Sequence, residues 1–143
     1  MKYRLRTVTI TCAEPEGGYA NTFLQAADIA RAYLARLDAD QEHMLMLGRA
    51  NSGRISGIKH IASGTRCTCP VDARLLFRAA LLLNATGIIL VHNHPSGGAI
   101  PSADDDRLTR DMARAGLLID IPLVDHVIVT PTAEFSYLAA GRL

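Results

Sequence analysis

The residues best suited to chemistry lie in one short run, His92-Asn93-His94-Pro95-Ser96-Gly97-Gly98-Ala99-Ile100-Pro101-Ser102-Ala103-Asp104-Asp105. Residues two apart on an extended segment point the same way, so His92 and His94 can converge on one ion. Imidazole suits zinc, and a carboxylate can complete a three-ligand set that leaves a fourth position for water. Asp104, Asp105 and Asp106 are consecutive, and a helix starting at Ser102 would separate them around its axis. Asp105 then lines up with Leu108 and Met112 on the apolar face. Asp104 can pair with Arg107 three residues on, and Asp106 with Arg110 four residues on, both on the wetter side. Asp105 has no basic residue at either spacing and is the carboxylate left for the metal.

A hydrolytic zinc site also wants a general base. The chain contains four glutamates, Glu14, Glu16, Glu42 and Glu134. Glu14 and Glu16 are expected in a surface loop, and Glu134 follows a Pro-Thr-Ala turn. Glu42 opens an apolar strand, where a charge is costly unless it lines a site or stays at the wet end. By elimination Glu42 is the candidate base. Each feature also has a plainer explanation. Ser102 and Asp105 fit a capping box, Glu42 a solvated strand start, and two histidines at a strand end can simply be satisfied polar residues.

These residues need elements to hold them. Alternation from Tyr3 to Cys12 predicts a first strand, broken by Glu14-Pro15-Glu16-Gly17-Gly18. Asn21 or Thr22 can cap a helix running to Leu37, with Phe23, Ala27, Ala30 and Leu34 inward. Glu42 to Leu47 and Ile55 to Ile61 read as paired strands joined around Asn51-Ser52-Gly53. Pro70 suits the first turn of a second helix that buries Leu75, Leu76, Ala79, Leu82 and Leu83. Gly87 to Val91 is a wholly apolar strand, of the kind covered on both faces. The glycine- and proline-rich loop leads to a helix from Ser102 to Ala115, a strand from Val124 to Thr130, and a terminal helix or turn from Phe135 to Leu143. The order β-α-β-β-α-β-α-β-α predicts an α/β layered domain with a mixed central sheet flanked by helices. Catalytic loops in such folds sit at strand ends, as does the loop after Val91.

A length of 143 residues suits a single domain spanning 1–143. Hydrophobic residues make up 49% and charged residues 20%, which supports a real core and argues against a disordered tail. Lysine and arginine number 15 against 14 acids, for a formal charge of +1, so charge gives no support to nucleic acid as a partner. Cys12, Cys67 and Cys69 are too few for a disulfide framework and read as reduced thiols. No apolar stretch is long enough for a signal peptide or a membrane span, and a cytoplasmic location is expected.

The spacing His92-x-His94, seven residues, Ser102, two residues, Asp105 resembles the JAMM motif of JAB/MPN-type metalloproteases, with Glu42 at the place of the family's upstream glutamate. The longer stretch through His92-Asn93-His94-Pro95-Ser96-Gly97, Pro101-Ser102 and Leu123-Val124-Asp125-His126-Val127-Ile128-Val129 is similar to the bacterial RadC subgroup, over residues 22 to 138. The resemblance implies the JAB fold, related to the cytidine-deaminase architecture. It implies one zinc ion held by His92, His94, Asp105 and a water. Glu42 would take the water's proton and pass it to the leaving amine, and Ser102 would hydrogen-bond the developing oxyanion. Relatives with the complete motif cleave peptide or isopeptide bonds, so a peptide or an isopeptide-linked protein is the expected substrate. Longer RadC proteins carry a helix-hairpin-helix region for which this sequence has no space, so a short form is expected. The loops around 49–54 and 95–101 would recognise the substrate. His126, on the strand side of Val124 and Ile128, would be a core residue or support a ligand by a hydrogen bond.

Other chemistries leave different marks. A nucleobase deaminase would carry His-x-Glu followed by Pro-Cys-x-x-Cys; here no glutamate follows His92, and the Cys67-x-Cys69 pair precedes it. A metal-dependent nuclease would prefer more carboxylates and a harder ion. A non-enzymatic module associated with DNA repair or mobile elements would need neither Glu42 nor Ser102.

Overall fold

The computed structural model describes residues 1–64 and 69–143, and among them eight elements follow one another. They are α1 (Phe23–Leu34), β1 (His43–Arg49), β2 (Ile55–Ser63), α2 (Ala73–Leu82), β3 (Gly87–Asn93), α3 (Ala103–Leu118), β4 (Leu123–Val129) and β5 (Glu134–Ser136). The strands form one sheet in the order β2-β1-β3-β4-β5. β3 and β4 are parallel, joined by the α3 crossover that such a pair requires. The remaining neighbours are antiparallel. This is the mixed, layered α/β architecture expected from the pattern.

Alternation along β1 places the layers. Met44 and Met46 join Leu76, Ile88, Leu90 and Met112 on one face. Leu45 and Leu47 join Ala27, Ala30, Val91 and Val127 on the other. α2 and α3 therefore cover the first face and α1 the second, which explains why β1 and β3 read as continuous apolar runs. Thr22 caps α1 through a capping box with Gln25. No helix among the described residues is long and apolar enough to cross a membrane.

Several expectations at the edges are corrected. No strand forms over Tyr3 to Cys12; contact with the sheet is an isolated bridge from Ala13 to Ile58. The apolar residues change parity between Leu5 and Val8, so no single strand face gathers them, and Tyr3, Leu5 and Val8 are exposed. α1 ends at Leu34 rather than Leu37. α2 begins at Ala73 with Asp72 as its cap, the Asp72 carboxylate accepting from the Arg74 N–H at 2.9 Å, so Pro70 lies before the helix rather than in its first turn. The C-terminal segment begins as a strand, not a helix. Ser136 donates to the buried Asp125 carboxylate at 2.5 Å and the Leu138 N–H donates to it at 3.0 Å, which pins the segment beside β4.

Candidate metal centre

The strand register brings the chemistry together. Met44 on β1 is paired with His92 on β3 in an antiparallel ladder. Two residues back along one strand and two forward along the other reach Glu42 and His94, and alternation keeps all four on one face. That face is the one α3 covers. Ser102 caps α3 and Asp105 sits in its first turn. The Ser102 hydroxyl accepts from the Asp105 N–H at 3.1 Å, and Asp105 Oδ2 accepts from the Ser102 N–H at 2.7 Å. The capping box is therefore real, and it aims the Asp105 carboxylate at the histidines. Capping leaves the Asp105 carboxylate free to serve as a metal ligand as well.

One ligand atom from each of Glu42, His92, His94 and Asp105 lies within 4.8 Å of the others. Ligand atoms held tetrahedrally about 2.0 Å from a zinc ion would be about 3.3 Å apart. The His92 and His94 Nε2 atoms are 2.9 Å apart, and they stand 3.2 Å and 3.3 Å from the two Asp105 oxygens. Glu42 Oε1 is farther out, 3.5 Å from His92 and 4.0 Å from His94. His94 Nδ1 is 2.8 Å from the Gly98 carbonyl oxygen, which can only accept. That contact puts a proton on Nδ1 and leaves Nε2 to offer a lone pair to the group. Such a donor set fits a metal ion.

The cluster is dry: His92 is 0%, Glu42 5% and Asp105 7% exposed. Burial raises the Glu42 carboxyl above its ordinary value, with His92 and His94 opposing the rise and Asp105 adding to it. Burial also works against ionisation of Asp105. The His92 and His94 imidazoles packed against it outweigh burial and hold that carboxyl well below the usual range. The same Asp105 contact raises the His94 imidazole against desolvation. Two neighbouring carboxylates are thus driven in opposite directions, a pattern that divides a charged anchor from a proton acceptor.

Asn93, between the two histidines, ties their strand to the glutamate. Its side-chain oxygen accepts from the His43 N–H at 2.7 Å and its amide donates to the Gln41 carbonyl at 2.8 Å, the backbone groups on either side of Glu42. His126 lies fully buried behind His92, with its Nε2 2.8 Å from His92 Nδ1. It is the buried, hydrogen-bonding residue expected at this place, but its strand neighbours differ. β4 skips a residue against β3, pairing Leu123 with Ile88 and Asp125 with Ile89, so Val124 packs on the opposite face. Thr109 touches both Asp105 and His126 and was missed from the sequence; its position four residues beyond Asp105 on one helix face was the available signal. Asp104 pairs with Arg107 at 3.3 Å as expected. Asp106 pairs with Arg142 at 2.6 Å, not with Arg110, and accepts from the Tyr137 hydroxyl at 2.8 Å.

A hollow of about 390 Å³ opens onto Glu42, Ser102 and Asp105, with Cys69, Pro70 and Val71 along its wall. A second, of about 500 Å³, meets His94 from the side of Leu34, Pro95 and Pro131. The loop at 95–101 is at the site, whereas the 49–54 turn is at the far end of the sheet, where Arg49 pairs with the start of β3. Cys67 lies outside the described residues. Cys69 is a free thiol, and burial followed by the Glu42 charge raises it from 9.0 to about 11. In the metal-free protein, Cys69 is expected to react with iodoacetamide near pH 8 about a hundredfold more slowly than an ordinary thiol, because less thiolate is present. Time-resolved mass mapping checks this, and labelling at the ordinary rate would remove the burial argument.

Comparison with known proteins agrees with this geometry. A family model described as RadC-like JAB domain matches residues 21–142. A UPF0758 protein of Chlorobium chlorochromatii is 32% identical over 121 residues, covering 84% of this chain and 54% of the relative. A UPF0758 protein of Flavobacterium johnsoniae is 34% identical over 116 residues, 81% of this chain and 50% of the relative. A third, of Thermotoga maritima, is 39% identical over 89 residues, 62% of this chain and 40% of the relative. The chain spans about half the length of the first of these curated relatives. With most of its length matched and its buried His-His-Asp-Glu group assembled at one strand end, this chain belongs to the RadC-like JAB domain family.

Proposed function

We propose that this chain is a zinc-dependent hydrolase of peptide or isopeptide bonds. The observation that carries the reading is the spacing within the buried group: His92, His94 and Asp105 stand at mutual distances suited to one ion, with Glu42 set farther away. His92, His94 and Asp105 would hold the metal. When bound, it supplies Lewis acidity, polarising a carbonyl and making water nucleophilic near neutral pH. Glu42 accepts the water's proton on its carboxylate and returns it to the leaving nitrogen, and burial favours this by raising its proton affinity. The Ser102 hydroxyl accepts a backbone N–H and so keeps its own proton to donate to a developing oxyanion.

The lining supports a peptide rather than a nucleic acid. Beside Glu42 and Asp105, the larger charges around the first hollow are Asp104, Asp111 and Arg107, and Arg107 is already paired with Asp104. Phosphodiester backbones would meet net negative charge there. Hollows on both sides of the group leave room for chain on either side of a scissile bond.

The test is a screen of peptide and isopeptide-linked substrates with zinc-loaded protein, before and after chelation. Cleavage that disappears on chelation and returns with zinc is expected. Cleavage of nucleic acid but of no amide substrate would overturn the assignment.

A further inference from the structure

Behind the metal group runs a chain of side chains that begins at one of its members and ends at another. His92 Nδ1 lies 2.8 Å from His126 Nε2, and His126 Nδ1 lies 2.7 Å from Thr109 Oγ1. Thr109 Oγ1 is in turn 2.6 Å from the backbone carbonyl oxygen of Asp105. His92, His126 and Thr109 are all buried, so water cannot substitute for any of these partners.

The direction of each bond follows from the last one. A carbonyl oxygen only accepts, so the single hydroxyl proton of Thr109 goes to Asp105. Thr109 can then only accept from His126, which puts a proton on His126 Nδ1. A buried imidazole is neutral by preference, so His126 Nε2 carries a lone pair and accepts from His92 Nδ1–H. His92 Nε2 is left bare, and it is the atom that faces His94 and Asp105. Tyr137 stacks on the His126 ring at 5.1 Å and 6°, which holds the plane of the middle link. Leu90 is paired with His126, so the strand register that sets the His92 position also sets its partner.

We infer that Thr109 and His126 are positioning residues that lock His92 in the tautomer with Nε2 unprotonated, with Thr109 placed one turn of α3 beyond Asp105 and His126 on β4 between it and His92. The inference rests on the metal-binding reading for its purpose, but not for its hydrogen-bond directions. Thr109 thereby links the backbone of one ligand to the ring of another. A shift of α3 that moved Asp105 would also release the imidazole, so both ligands are set or lost together.

Long-range proton–nitrogen NMR of metal-free, 15N-labelled chain reads the tautomers directly. The expected spectrum has the proton on Nδ1 and a bare Nε2 in both His92 and His126. Thr109→Val removes the acceptor while keeping the shape; it is expected to lose that pattern and to bind zinc about 10- to 100-fold more weakly. Thr109→Ser should restore both, which a purely packing role for the threonine would not require. A native spectrum with the His92 proton on Nε2 overturns the inference, and does so even if Thr109→Val fails to fold. So does a folded Thr109→Val with native tautomers and native zinc affinity. If the native chain shows the relay pattern but binds no zinc, the relay stands and the metal reading falls.

Discussion

Asp105→Asn is expected to abolish zinc binding while leaving α3 in place. The native chain should carry about one zinc, the stoichiometry of a single three-ligand site. Asparagine keeps a side-chain oxygen that can accept from the Ser102 N–H, so the capping bond at 2.7 Å has a replacement. What it removes is the negative charge 3.2 Å and 3.3 Å from the two imidazoles, and a neutral amide is a poor zinc ligand. Capping alone would predict a variant that melts within about 1 kcal/mol of native and binds metal as before. Metal analysis after dialysis, together with a melting curve, separates the two. Zinc retained at native stoichiometry in Asp105→Asn would refute the assigned ligand set. His94→Ala should also lose the ion, with less strain on the core than a change at His92, which is entirely enclosed.

Glu42→Gln should have the reverse signature: zinc retained, hydrolysis lost. The side chain keeps its shape beside His92 and His94, but an amide cannot take a proton. A general base is worth about 10² to 10⁴ in rate, so turnover of any substrate found should fall by that order while metal content stays at the native level. The pH profile adds a second check. A base works only when ionised, so activity falls as pH drops through its pKa. In the metal-free group, burial raises the Glu42 carboxyl above its ordinary value. A bound cation would pull the limb back towards acid, and the Glu42→Gln variant should lack the limb altogether. Wild-type rates in Glu42→Gln would reassign the base.

Much of the site was legible because its parts are local. His-x-His on a strand and Asp105 on a helix face follow from periods of two and 3.6 residues. Ser102 and Asp105 were readable as a cap from their spacing alone. Glu42 was reached only by elimination and resemblance, since its place depends on the pairing of Met44 with His92 across 48 residues of chain, a register that local pattern does not encode. Asn93 was invisible for the same reason, because it acts on a segment distant in sequence; Thr109 was readable in its spacing from Asp105 but not in its contact with His126. The largest errors of secondary structure fall at the chain ends. Residues 3–12 have strand-like composition but no consistent apolar face, and residues 134–136 gained a strand through bonds to Asp125 that no propensity describes. Asp106 took Arg142 rather than Arg110 because the C-terminal turn brings that guanidinium over the helix.

The Asn93 side chain carries a mechanical consequence. It grips the backbone on both sides of Glu42 from a position between the two histidines. The segment bearing Glu42 and the strand bearing His92 and His94 therefore behave as riveted plates. Sliding one over the other strains two hydrogen bonds at once, one half-buried and one exposed. The separation of Glu42 from the two histidines then depends on these bonds staying closed, and local opening near residue 42 is coupled to the end of β3.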